Sequence, residues 1–327
     1  MDRETVISVK NLEKKFGNFT AVAHIDFEVY RGEIFGFLGP NGSGKTTTIR
    51  MMLGLLEPSD GEIVILDTKV NVGAVGIRRR VGYMSQRFSL YNDLTVLQNL
   101  RFYGAAYGLD EKTLGLRIAE ALEMAGLTGK QHARTKDLSG GWRQRLALGV
   151  AIIHNPEVIF LDEPTAGVDP VSRRAFWDLL YRLVAGGVTV FVTTHYMDEA
   201  EHCHRLAFIQ DGRLIAYGAP EEIKRSTIQG SVLEIEVGDP GAALQVLRAA
   251  KEAGKLDAVE IELYGALLHV FSNGNEKIEK QIRDSLKRSR ISVEYLEKID
   301  PSLEDVFIAC MNQNKQFVDI GGTDERS

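Results

Sequence analysis

Short, almost wholly apolar runs alternate along this chain with apolar stripes of wider spacing, and the two patterns predict different elements. Residues 6–9 and 23–29 read as strands on either side of a turn at Gly17 and Asn18. Residues 33–38 make a short apolar run, and residues 47–53 open a helix soon after it. From 93 to 130 the period lengthens: Leu94, Leu97, Leu100, Phe102, Leu114, Ile118, Leu122 and Leu127 recur at helical spacings. Apolar strands return at 158–161 and 188–192, with a helix over 172–183 between them. Strand, helix and strand in that order predict an α/β fold with a parallel sheet and helical crossovers.

The pattern changes near Gly230. Residues 232–237 alternate as a strand, 241–253 are helical, and 259–263 and 266–271 are strands around Tyr264 and Gly265. A helix over 275–288 and a strand over 291–296 follow. This βαββαβ order predicts a small α+β domain of the ferredoxin-like, split βαβ kind. A helix over 301–311 closes it, and the polar end with Gly321 and Gly322 is expected to be disordered. The expected division is a large domain over 1–228 with a helical part at about 88–155, an accessory domain over 229–312, and a tail over 313–327.

Composition adds only exclusions. A net charge of −6 gives no reason to expect nucleic acid as a partner. Two cysteines, Cys203 and Cys310, make no disulfide framework. The first residues carry neither a basic region nor an apolar core, so no signal peptide is expected. The longest uncharged stretch, 183–197, falls short of the ~18 apolar residues of a spanning helix and contains Gly186 and Gly187. Any membrane role would be exercised from the water side.

The chemistry begins where the apolar run 33–38 ends. Gly39, Pro40, Asn41, Gly42, Ser43, Gly44, Lys45 and Thr46 satisfy the phosphate-loop pattern G-x-x-x-x-G-K-[ST], between a strand and a helix that Thr47 continues. Glycines let backbone N–H groups turn inward around a polyphosphate, and the helix N-terminus favours its charge. Lys45 can reach the β- and γ-phosphates, and the Thr46 hydroxyl can hold Mg²⁺. The strand 158–161 runs into Asp162 and Glu163. Asp162 suits the surroundings of Mg²⁺, and Glu163 suits a general base for an attacking water. The run His202, Cys203, His204 invites a metal reading, but on a helix such residues diverge, so none is expected there. Arg78, Arg79 and Arg80 read as a solvated turn.

Between these elements lie Leu138, Ser139, Gly140 and Gly141, some 20 residues ahead of the Asp162–Glu163 strand end. With this run the sequence resembles the ATP-binding cassette family, over about residues 5–225. The resemblance implies ATP and Mg²⁺ as ligands. It implies that Phe16 stacks on adenine and that Gln86 senses Mg²⁺ and the attacking water. The loop 166–169 would communicate across a dimer, and His195 would touch the γ-phosphate. It also implies that Ser139, Gly140 and Gly141 face the nucleotide of a second cassette, in an ATP-dependent dimer expected to be a homodimer. The sequence departs from the family at Trp142, where glutamine is usual. That residue puts local packing in question more than chemistry, and it is familiar in a bacterial drug-export branch.

Phrases at 90–104, 165–174, 194–201 and 301–307 resemble exporters with separate type-2 (ABC-2) permease subunits. The resemblance therefore implies an ATPase peripheral to the cytoplasmic face of the cell membrane. The nutrient importer, the soluble ATPase of translation or DNA maintenance, and the module that does not hydrolyse remain as alternatives. A permease helix is expected to dock between Gln86 and about Tyr107, on Phe88, Tyr91, Phe102, Tyr103 and Tyr107, with the core of the helical part as the other place for these rings.

Overall fold

A computed structural model describes residues 3–73, 75–86, 89–228, 230–275 and 277–310. Phe88, Met311 and the expected tail lie outside the described residues. The chain divides into two compact units, parting between Pro220 and Glu221.

The first unit opens with β1 (Thr5–Phe16), β2 (Phe19–Tyr30), β3 (Ile34–Leu38) and α1 (Lys45–Met52), followed by β4 (Asp60–Ile65), β5 (Thr68–Lys69), α2 (Val75–Arg78) and β6 (Val81–Met84). The helical part holds α3 (Val96–Ala106), α4 (Glu111–Met124) and α5 (Gly140–Ile152), with a 3₁₀ turn at Thr135–Asp137. Then come β7 (Val158–Asp162), α6 (Pro170–Ala185), β8 (Thr189–Thr194), α7 (Met197–Ala200), β9 (Arg205–Gln210) and β10 (Arg213–Gly218). An α8 (Pro220–Thr227) begins at the division.

Two sheets build this unit. One has the order β10-β9-β3-β8-β7-β6, parallel from β9 to β6 and antiparallel at β10. The other is antiparallel, ordered β2-β1-β4-β5. Phe27 of the second sheet packs against Phe35, Phe37 and Phe191 of the first at ring distances of 5.5–6.0 Å, which fixes the two sheets face to face. β3, β7 and β8 are buried along their whole length, as strands covered on both faces must be. Their carboxyl ends lie in register, with Leu38 beside Thr194 and Asp162 beside Thr193. Ligands of such sheets sit just beyond that edge.

β1 is longer than the run 6–9 predicted. Register shifts on both sides of Leu12, and Asn11 at φ 50°, break the alternation that would have revealed it. The stripe from 93 to 130 is two helices with separate caps. Thr95 and Gln98 form a capping box at α3, and Asp110 accepts from the N–H groups of Lys112 and Thr113 at α4. Val96, Leu100, Leu114, Ile118, Leu122 and Leu146 of α3, α4 and α5 close a core of their own. Arg80 is no free surface charge, since its guanidinium binds Glu157 at 2.7 Å and donates to the Leu66 carbonyl.

The second unit carries β11 (Ser231–Val237), α9 (Pro240–Glu252), β12 (Ala258–Tyr264), β13 (Leu267–Ser272), α10 (Ile278–Arg288) and β14 (Val293–Ile299). Its antiparallel sheet is ordered β12-β13-β11-β14, the arrangement of a split βαβ fold. Leu233, Ile235, Leu268 and Val270 of the sheet meet Leu247, Ile282 and Leu286 of the helices. His269 of β13 is buried with its Nδ1 2.7 Å from Asp305 and its Nε2 3.3 Å from Glu234, while its ring stacks on Tyr264 at 4.5 Å. Asp305, in a helix over 303–310, also accepts from the backbone and hydroxyl of Ser302.

Candidate nucleotide site

The loop after β3 wraps a cavity of about 510 Å³ at the sheet edge. Phe16, Asn41, Gly42, Gly44, Lys45, Thr46, Thr47, Gln86 and Glu163 all line it, so residues far apart in sequence share one concavity. Phe16 stands half-exposed at the end of β1 with the Lys14 ammonium 5.2 Å above its ring. Gly44 caps α1 at φ 110°, and a β-carbon there would meet the Ala21 carbonyl at 2.6 Å. No other residue type fits that corner without strain.

Lys45 begins α1 and is buried, its ammonium donating to the carbonyls of Gly39 at 2.7 Å and Pro40 at 3.1 Å. The same ammonium lies 3.2 Å from Glu163 Oε1. On the other carboxylate oxygen, Gln86 Nε2 donates at 3.0 Å. His195 Nδ1 stands 3.3 Å from that oxygen, close enough for attraction but outside hydrogen-bond alignment. A cation, an amide and an imidazole thus converge on one carboxylate. Glu163 reaches them from a left-handed backbone, φ 48°, a conformation that costs a non-glycine residue about 1–3 kcal/mol. Its N–H offsets part of that by meeting both the carbonyl and the hydroxyl of Thr193, at 3.1 and 3.0 Å.

Asp162 is buried and accepts from the Thr46 hydroxyl at 3.0 and 3.2 Å and from the Thr193 hydroxyl at 2.8 Å. Nearby, the buried Ser43 hydroxyl has no partner within the protein. Hydroxyl and carboxylate oxygens gathered in this way fit a hard cation such as Mg²⁺ beside phosphate oxygens.

Residues 22–166 match the family described as ABC transporter. The probable multidrug ABC transporter ATP-binding protein YbhF of Escherichia coli (strain K12) is 49% identical over 221 residues, covering 68% of this chain. The chain spans only 38% of that protein's length. The Nod factor export ATP-binding protein I of Burkholderia lata is 37% identical over 95% of this chain and 98% of its own. Among solved structures, cbiO1 from Clostridium perfringens, part of the ABC transporter complex cbiONQ, superposes with a TM-score of 0.63 at 29% identity, over 67% of this chain and 90% of that one. The dimeric post-hydrolysis state of the ATP-binding cassette MJ0796, bound to ADP and Pi, gives 0.59 at 30% identity, over 65% and 98%.

The chain belongs to the ABC transporter ATP-binding family.

Within this cassette, Ser139, Gly140 and Gly141 do not line the cavity that holds Lys45. Ser139 caps α5 by its backbone alone, and its exposed hydroxyl makes no capping bond, so that hydroxyl and the helix N-terminus stay available to a ligand. A β-carbon on Gly141 would meet the Ser172 hydroxyl at 2.6 Å, which presses the start of α5 against α6. Trp142 is half-buried and packs against the helical core, with the Lys130 ammonium at 4.5 Å and the Arg145 guanidinium at 4.9 Å from its ring centre.

Three contributors escaped the sequence reading. Thr193 ties Asp162 to Glu163, and its place two residues before His195 is the only signal it gave. Gln144, fully buried on α5, donates to the Pro164 carbonyl and links the Ser139 helix to the Glu163 strand end. Glu199 of α7, also buried, binds the Thr165 hydroxyl and lies 3.5 Å from Arg173, bracing the loop that runs to Asp169. The metal candidates disperse: His202 meets the Tyr181 hydroxyl, His204 accepts from the Ile34 N–H, and burial pushes the Cys203 thiol pKa up.

The aromatic residues after Gln86 divide into two groups. Tyr91 and Phe102 are 47% and 45% exposed and meet edge to face at 4.7 Å, so Phe102 is an exposed ring and not part of the core. Tyr103 and Tyr107 line a cavity of about 220 Å³ with Ser85, Ser89 and Leu90. Among the described residues no helix is long and apolar enough to cross a membrane.

Proposed function

We propose that this chain is the ATP-hydrolysing subunit of an exporter, binding ATP with Mg²⁺ and driving separate ABC-2-type permease subunits from the cytoplasmic face of the membrane. The observation that carries the reading is the convergence of Lys45, Gln86 and His195 on the Glu163 carboxylate. Lys45 holds the β- and γ-phosphates inside a cradle of backbone N–H groups from the loop after Pro40 to Thr47. Phe16 supplies a face for the adenine. Glu163 accepts the proton of the attacking water, while Gln86 and His195 orient that water and the γ-phosphate. Thr46, Asp162 and Gln86 would hold Mg²⁺, which would supply positive charge beside the phosphate oxygens.

Ser139, Gly140 and Gly141 serve the nucleotide of a second copy. ATP therefore closes a head-to-tail homodimer, each copy completing the other's site under two-fold symmetry. The exposed Tyr91 and Phe102 offer aromatic anchors to a permease helix. The export names of the relatives favour an outward cargo, a drug, lipid or other small molecule, over an importer or an ATPase of translation or DNA maintenance.

Glu163→Gln tests the reading. It keeps the size of the side chain and removes the base, so turnover should fall by about 10²–10⁴-fold while ATP binding survives. In sedimentation, ATP with Mg²⁺ should convert this variant from monomer to dimer. Near-normal turnover would place the base elsewhere, and a persistent monomer would favour pairing with a different cassette chain.

A further inference from the structure

Asn99 sits in the first turns of α3, fully buried, in a role that the nucleotide chemistry does not use. Its Oδ1 accepts the Tyr91 N–H at 3.0 Å, which fixes the orientation of the amide. Its Nδ2 donates to the carbonyls of Tyr91 and Thr95, both at 3.1 Å, and to the Thr135 hydroxyl at 2.9 Å. Thr135 is equally buried, and both its hydroxyl and its N–H go to the Leu94 carbonyl at 2.9 Å. The two side chains form a closed polar knot in an apolar subdomain.

The two ends of the knot matter more than its middle. At one end is Tyr91, whose ring makes the exposed corner with Phe102. At the other, Thr135 opens the 3₁₀ turn whose next residues are Leu138, buried, and Ser139, the start of α5. The segment between is laced to α3: Val96 N–H meets the Ala133 carbonyl and Leu97 N–H the Gln131 carbonyl, both at 3.0 Å. Breaking a buried, satisfied knot leaves several polar groups without partners, so it moves as one piece or not at all.

The geometry points to Asn99 and Thr135 as positioning residues that lock the Tyr91–Phe102 corner to the Ser139–Gly141 loop, so that a displacement at either is felt at the other. This rests on the proposed function, in which a second copy's ATP closes on Ser139. Linkage is reciprocal, so ATP-driven closure at Ser139 must change the stability of the Tyr91 end.

The Tyr91 N–H is itself the reporter, because its exchange with solvent deuterium requires the Asn99 bond to open. Hydrogen exchange is followed in the full-length Glu163→Gln chain, with and without ATP and Mg²⁺, alongside sedimentation. Closure should slow exchange at Tyr91 by about 5-fold or more, the lower end of ordinary coupling between sites. Adding Thr135→Val, isosteric but without the hydroxyl, should bring that ratio to about one, while Thr135→Ser restores it. A merely structural knot would raise exchange in Thr135→Val equally with and without nucleotide and leave the ratio intact, which overturns the inference. An unresponsive Tyr91 in the parent chain overturns it too, even if Thr135→Val fails to fold. The amides of 39–47 separate the two levels: protection there with a dimer formed but no effect at Tyr91 defeats only the coupling. No protection there, or protection without a dimer, defeats the nucleotide or pairing reading and this inference together.

Discussion

Thr193→Val removes one oxygen and almost no volume from the centre of the site. That hydroxyl donates to Asp162 at 2.8 Å and accepts the Glu163 N–H at 3.0 Å. The second loss is partly covered, because the same N–H also reaches the Thr193 carbonyl at 3.1 Å. The first is not covered: among the described residues, the buried carboxylate keeps only the Thr46 hydroxyl as a side-chain donor. A hydrogen bond to a charged group contributes about 1.5–3 kcal/mol, so the change should cost about 2 kcal/mol of stability. For a unit of this size that is a fall of about 4–8 °C in the unfolding midpoint. The larger effect falls on turnover, because Asp162 and Glu163 are adjacent and the hydroxyl sets the angle between them. A misplacement of about 1 Å at a reacting centre can cost about 10²-fold, and kcat should fall on that order while KM for ATP moves little. Steady-state ATPase assays on Thr193→Val and Thr193→Ser, with calorimetric unfolding, make the test. Serine should restore turnover. If valine lowers the midpoint as expected but leaves kcat unchanged, Thr193 holds the fold alone and the argument fails.

Lys45→Ala should abolish tight nucleotide binding, since two phosphates lose their cation, and equilibrium binding of a labelled ATP checks it; unchanged affinity would refute the assignment of the loop. A pH effect is expected in the second unit. Burial lowers the His269 pKa, but the hydrogen bonds and charges of Asp305 and Glu234 outweigh it and leave the pKa raised. A raised folded-state pKa stabilises fully below the unfolded value near 6.5 and is lost as pH rises through the folded value. His269→Gln should therefore flatten the alkaline decline in that unit's unfolding midpoint, and an unchanged slope would mean the imidazole is not charged there.

Where the sequence carried a chemical pattern, it was legible. The phosphate loop, Asp162 with Glu163, and His195 gather at one sheet edge because strand order places the carboxyl ends of β3, β7 and β8 side by side. Alternation also made the strands of the second unit legible, although β13 is buried on both faces over most of its length. Less visible were β6, with only four residues, β10, half-covered, and β4, which opens on exposed polar positions; β9, by contrast, carries a buried apolar run as long as that of β8 and was open to the same reading. Thr193, Gln144, Asn99 and Thr135 were invisible for another reason. A buried polar side chain matters through its partners, and each of these four has one that lies 20 to 41 residues away, even though Asn99 also binds its near neighbours Tyr91 and Thr95.

The two tryptophans give the chain an optical consequence. Trp177 is sealed in the sheet–helix core and stacked on His202, so dissolved quenchers should not reach it. Trp142 sits at the opening of α5 with a lysine and an arginine over its ring. Those cations draw iodide and repel caesium, so the emission that iodide removes comes from the Ser139 loop, without any label attached. A second copy settling over that loop would shield the indole. The residue that departs from the family's usual glutamine thus makes assembly observable in the intrinsic light of the unmodified protein.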